Sequence, residues 1–307
     1  MVALFSFIRF IESLEIERMT TVNQLIDLIK LGKTGDTIFV GNSVTIGSPH
    51  VFGGQVLAQA INAASRTDVK DRILHSMHAY FLEAGDLTQP IVYNVSIVRD
   101  GGSFSVRRVT ASQNGNTIFI LSASFHKEEE GYNHQIDMPE GIKQPEELLS
   151  WTDMLNQFGD AIPSRTKSFI EVDRPIEFKP VEVVNPFNKE DLPSFTHVWF
   201  KLNGDTSTLD HATKQQILTY ISDYNILAAA MNRHASKAHY GNTQTASLDH
   251  SMWYFRDFDF DDWMLYSIES PNTSSARGFA RGNIFTREGK LVASVTQEGL
   301  MRPIKKK

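Results

Sequence analysis

The chain has no cysteine. That excludes a disulfide framework, thiol catalysis and cysteine-ligated metal, and it fits a reducing compartment without requiring one. No apolar run approaches the ~18–20 residues of a membrane-spanning helix. A basic surplus is missing too: 30 Lys and Arg stand against 36 Asp and Glu, for a formal net charge of -6. With no basic stripe, a nucleic-acid partner is not expected. The local basic spots are Arg277, Arg281, Arg302 and the Lys305-Lys306-Lys307 tail. The opening MVALFSFIRFIESLEIERM lacks the basic start and small-residue cleavage site of a signal peptide. Its Glu12, Glu15 and Glu17 also argue against a mitochondrial presequence, so an amphipathic helix or a frayed extension is expected there. The final residues do not read Ser-Lys-Leu, the peroxisomal address. Cytoplasm is the expected location.

What is present is ordinary globular composition over 307 residues, 41% hydrophobic and 21% charged, with 20 Phe to supply apolar area. Within it, one pattern occurs twice. LHSMHAYF (Leu74 to Phe81) leads through strand-like runs to Phe125, and LDHSMWYF (Leu248 to Phe255) leads through similar runs to Leu300. His75-Ser76-Met77 answers His250-Ser251-Met252. At a nearly equal offset Arg107 answers Arg281, and Gly115 answers Gly289. Repetition on this scale implies two copies of a small fold in place of one large domain.

Each copy carries the same elements. In the first, a helix candidate at Val22 to Leu31 and a strand in DTIFVGNSVTI precede FGGQVLAQAINAASRT, which places Val56, Leu57, Ala60, Ile61 and Ala64 at helical spacing. Four strand-like runs follow, with turn signals at Asp100-Gly101-Gly102 and Asn114-Gly115. From Lys127 to about Pro163 the chain turns acidic and turn-rich, a linker with one helix expected around Pro145 to Phe158. RPIEFKPVEV and THVWFKLNG then read as strands, KQQILTYISDYNILAAAMN as one apolar helix, and four strand runs complete the copy. A helix apolar nearly all round should be wrapped by its sheet. The expectation is α+β, a double hotdog, with residues 20–130 as one copy, 131–170 as linker and 171–303 as the other.

The strings FGGQVLAQA, HSMHAYFL, RPIEFKPVE, YISDYNILA, SLDHSMWYF, ARGFARG and LVASVTQEGL occur in that order. Together they make the chain resemble the type II acyl-coenzyme A thioesterases, double-hotdog enzymes of bacteria and peroxisomes. The resemblance spans roughly residues 35–302. It implies hydrolysis of fatty acyl-CoA to free fatty acid and CoA with no cofactor, no metal and no acyl-enzyme. It also implies a dimer of double hotdogs, and a peroxisomal location as the alternative to cytoplasm. Its catalytic set falls on Asp223, Ser247 and Gln297, with serine where bacterial members carry threonine.

Taken from the residues alone, each of the three has a plain structural reading: a helix cap or paired carboxylate, turn chemistry, and a solvated strand face. The repeat argues otherwise. Aligning ILAAAM with VLAQAI sets Asp223 opposite Gly53, and aligning the turns on Gly115 and Gly289 sets Gln297 opposite Ala123. The polar trio then belongs to the second copy alone. Asp223 is suited to take or orient a water proton, and Ser247 and Gln297 both donate and accept. The developing oxyanion is expected near the start of the second helix. Direct attack by Ser247 is the weaker reading. His250, matched by His75, reads as scaffold, with Asp249 a possible support.

Gly53 and Gly54 are expected to permit close helix approach beside the acyl group. Arg277 and Arg281 share a strand face and could meet CoA phosphates, or form structural ion pairs. Two rival functions stand beside thioester hydrolysis: a hotdog enoyl-CoA hydratase or dehydratase, and a non-catalytic acyl-CoA binding module.

Overall fold

A computed structural model describes residues 19–183 and 190–304. The amphipathic opening segment up to residue 18 and the three-lysine tail lie outside the described residues. Helix α1 (Val22–Ile29) starts at a capping box in which Thr21 and Gln24 satisfy each other's backbone, and it buries Val22, Leu25 and Ile29. Strands β1 (Gly32–Lys33) and β2 (Ile38–Gly41) lead to helix α2 (Gly53–Ser65), in which every residue from Gly54 to Ala64 is buried. Strands β3 (Arg72–Phe81), β4 (Ile91–Asp100), β5 (Phe104–Gln113) and β6 (Asn116–Lys127) complete the first copy. The β5–β6 hairpin closes in two residues, Asn114 (φ 50°) and Gly115 (φ 83°), the left-handed pair that a tight hairpin turn requires.

The expected linker holds a 3-10 turn (Pro145–Glu147), α3 (Trp151–Phe158) and a further short helix, α4 (Ser164–Ile170). Its Met138, Ile142 and Leu148 pack against Trp199, Trp263, Leu265, Phe285 and Leu291 of the second copy. That copy comprises β7 (Ile176–Pro180), β8 (Phe195–Leu202), α5 (His211–Ser222), α6 (Ala228–Asn232), β9 (Thr243–Ser247), β10 (Asp249–Tyr254), β11 (Met264–Ser274), β12 (Arg277–Thr286) and β13 (Leu291–Pro303).

The single helix expected over Lys214 to Asn232 is two helices. Asn225 adopts φ 66°, a left-handed conformation that ends a helix and that Asn tolerates better than most residues. Asp223 therefore caps the C-terminus of α5 and does not lie within it.

The strands form one antiparallel sheet in the order β1-β2-β4-β5-β6-β3-β10-β13-β12-β11-β8-β7, with β9 pairing β13. The two copies meet edge to edge through β3 and β10, where Met77 lies directly opposite Met252. Pairing here removes both inner edges from solvent. Helices α2 and α5 pack on each other inside the curl, and one contiguous apolar cluster runs through both copies. This is the double hotdog.

Candidate active site

Strand register corrects part of the alignment between copies. Along β5 the buried positions include Arg107, and along β12 they include Ala280, whereas Arg281 points outward. Arg107 and Arg281 stand on opposite faces, so they are not counterparts; counted from Met77 and Met252, which lie across from Ala123 and Val295, Arg107 matches Gly282, and Ala123 matches Val295 instead of Gln297. Fully buried, Arg107 bonds Thr67 and Asp68 at the C-terminus of α2 and pairs with Asp100 at 2.8 Å. Ala280 lies directly across from Gln297.

Asp223, Ser247 and Gln297 converge. Asp223 Oδ1 accepts from Ser247 Oγ at 3.4 Å, and Gln297 Nε2 donates to the same hydroxyl at 3.0 Å. The other carboxylate oxygen, Oδ2, accepts from the backbone N–H of Gly54 at 2.9 Å. That donor comes from the first copy, in the first turn of α2, whose N-cap residue Phe52 makes no side-chain cap bond. Asp223 supplies the anion that a helix N-terminus attracts. A Cβ on Gly53 would lie 2.7 Å from Asp223 Oδ2, and one on Gly54 would lie 2.4 Å from the Tyr220 carbonyl. Glycine is required at both positions by close approach.

The opposition of Gly53 and Asp223 is thus a spatial contact and not an equivalence: one opens α2 and the other ends α5. For the same reason the oxyanion expectation changes. The start of α5 lies a helix length away, about 18 Å at 1.5 Å per residue, and the N–H groups near Asp223 belong to α2. Burial disfavours the charged carboxylate and is the largest influence on it. It outweighs hydrogen bonds from Gln297, Gly54 and Ser247, and the Asp223 pKa is pushed up to about 7.

Gln297 is 1% exposed and sits where β13 changes partner, pairing β9 from Gly299 onward and β10 up to Thr296. Its Oε1 meets His250 Nδ1 in a short hydrogen bond, and His250 Nε2 lies 3.0 Å from Ser222 Oγ. The His-Ser-Met shared with His75 predicts a scaffold role for His250. However, His75 bonds Ser124 at 2.8 Å and is part-exposed, whereas His250 is fully buried. A signal was present in the sequence: position 297 carries an amide able to reach such a neighbour.

Asp249 accepts from the Glu298 backbone N–H at 2.7 Å and so anchors β13 beside Gln297. Arg277 and Arg281 are not brought to the site. They point away from the face that Gln297 presents and bind Glu298 at 2.8 Å and Glu269 at 2.6 Å. Among the described residues no cluster of His, Cys, Asp and Glu could hold a metal ion, and no helix is long and apolar enough to cross a membrane.

Residues 41–126 match the family described as acyl-CoA thioesterase N-terminal domain, and residues 165–300 the acyl-CoA thioesterase family. The chain is 42% identical over 281 residues to acyl-CoA thioesterase 2 of Haemophilus influenzae, covering 92% of this chain and 98% of that protein. Among solved structures, an acyl-CoA thioesterase II from Mycobacterium marinum superposes with a TM-score of 0.73 at 33% identity, over 92% of this chain and 99% of that one. A hot dog fold protein of unknown function from Alicyclobacillus acidocaldarius, at 16% identity and a TM-score of 0.72, shares the fold over 91% of this chain and 98% of its own. The chain belongs to the type II acyl-CoA thioesterase family and is a thioester hydrolase.

Proposed function

We propose that the enzyme hydrolyses fatty acyl-CoA through a water held and deprotonated by Asp223, with Ser247 and Gln297 as its supports. The observation that carries this reading is a carboxylate with a pKa of about 7 that accepts from the Ser247 hydroxyl and the Gly54 N–H, while Gln297 Nε2 donates to that same hydroxyl. A base with that proton affinity is ionised often enough at neutral pH to act, yet binds a proton well enough to take one from water. Water attacks the thioester carbonyl, its proton passes to Asp223, and the tetrahedral intermediate expels CoA as thiolate, which the same proton can neutralise.

The proposed domain division is 20–130, 131–170 and 171–303, with the carboxylate drawn from the last and its helix N-terminus from the first. The hydratase reading has less support, because His250 is buried behind Gln297 and does not face open space.

The test is thiol release from palmitoyl-CoA by wild type, Asp223→Asn and Ser247→Ala. Asn keeps an acceptor for Gly54 N–H but cannot take a proton, so the rate should fall by ~10²–10⁴-fold, the usual contribution of a general base. Ser247→Ala should cost less. A complete loss in Ser247→Ala, with an acyl-enzyme trapped in wild type, would replace the water mechanism with serine attack. No thiol release by wild type at any chain length would remove the reading altogether.

A further inference from the structure

We infer that His250 is a positioning residue of the thioesterase: held between Ser222 and Gln297, it orients the Gln297 amide toward Ser247 and Asp223. The inference rests on the site proposed above and extends it by one residue that neither the repeat nor the resemblance assigned.

An amide side chain has a donor end and an acceptor end, and only one orientation serves here. Gln297 must present Nε2 to Ser247 Oγ, because its opposite end would set an oxygen against the hydroxyl that already donates to Asp223. The flipped amide is close in shape, so packing alone discriminates weakly between the two. A chemical partner at the far end discriminates strongly. His250 Nδ1 occupies that end, bonded to Gln297 Oε1. Both residues are essentially sealed from solvent, at 0% and 1% exposed, so water cannot substitute for either one. An unmatched buried polar atom costs about 1–3 kcal/mol, enough to hold the amide in one orientation.

The imidazole must therefore carry its proton on Nδ1. Burial keeps the ring neutral, with its pKa lowered to about 4, so the other nitrogen must accept. Ser222 Oγ is 3.0 Å from Nε2 and 2.8 Å from the Thr219 carbonyl, and it has one proton for the two acceptors. The Nδ1 proton that Gln297 Oε1 requires leaves Nε2 an acceptor, so the proposal places the Ser222 proton on Nε2 in preference to the Thr219 carbonyl. The chain of donors then runs in one direction: Ser222 to His250, His250 to Gln297, Gln297 to Ser247, Ser247 to Asp223. Its origin is the last turn of α5, one residue before Asp223 itself. The loop is closed through the same helix end that carries the carboxylate.

The test uses the full chain with palmitoyl-CoA and compares His250→Asn, His250→Gln and His250→Leu, each alone and with Gln297→Ala. The amide nitrogen of Asn can stand in for Nδ1–H and reach Gln297, whereas that of Gln stands in for Nε2 and reaches toward Ser222. In wild-type background, His250→Leu and His250→Gln should lose kcat by on the order of 10- to 100-fold with KM little changed, and His250→Asn should recover most of it. In the Gln297→Ala background none of the three should cost anything further. Should Leu be too poorly folded to assay, the Asn and Gln pair carries the same comparison.

Equal activity of Asn and Gln, or a full additional loss on top of Gln297→Ala, would overturn the role given to His250 and leave the site intact. Full activity of Gln297→Ala by itself would overturn the site reading, and this inference with it.

Discussion

Half-buried Asp223 and fully buried His250 are displaced in opposite directions, and each displacement has a consequence for stability. With a folded pKa of about 7 against 3.8 for the free side chain, native Asp223 binds its proton more tightly than the unfolded chain does. Its burial therefore costs nothing below about pH 4, and the cost grows as pH rises to about 7, reaching a few kcal/mol. Asp223→Asn should be slower by the same ~10²–10⁴-fold yet more stable than wild type at pH 8, with the difference shrinking toward pH 4 in thermal melts. Wild-type kcat should rise with pH through about 7 and then level off; a flat profile from pH 5 to 8 would argue that Asp223 only orients water. His250 has the reverse sign. Its folded pKa of about 4 lies below the free value of 6.5, so it withdraws stability as pH falls from 6.5 toward 4. Circular dichroism melts should show His250→Asn losing less stability over that interval than wild type.

Among the elements, the ends of α2 and α5 matter more than their lengths. Helix α2 begins with two glycines because α5 ends against it: the Cβ positions at Gly53 and Gly54 are taken by Asp223 Oδ2 and by the Tyr220 carbonyl. Gly54→Ala should push the helices apart, lowering stability by about 1–3 kcal/mol, as overpacking does. It should lower kcat by more than that loss of stability explains, because the Gly54 N–H moves with it. Denaturant titration and thiol release on one preparation check both. The other decisive element is the break at Asn225, which turns Asp223 from a residue within a helix into its cap. The run of apolar residues from Lys214 to Asn232 hid that break, since periodicity continues across a single left-handed residue.

For the molecule as a whole, a shared sheet and a single apolar cluster bind the copies into one unit. Met77 and Met252, both fully buried, face each other at the junction. Met252→Ala should cost about 2–5 kcal/mol, the range for emptying such a site. Calorimetry should record one transition shifted down as a unit; two separated transitions would show that the copies are independent.

The duplication, the wrapped helices and the Asn114-Gly115 hairpin were legible in sequence, and the family resemblance picked out Asp223, Ser247 and Gln297, whose side chains the fold brings together. Periodicity, turn chemistry and motif order are properties of neighbours along the chain. Register was not. Arg107 and Arg281 matched by counting, yet a shift of one residue along a strand exchanges its faces, and only pairing partners reveal it. Nor could the sequence show that the first copy supplies Gly54 N–H to the carboxylate of the second, or that His250 stands behind Gln297. Those contacts join residues far apart in the chain, and only the packing of two helices inside one curled sheet brings them within a hydrogen bond.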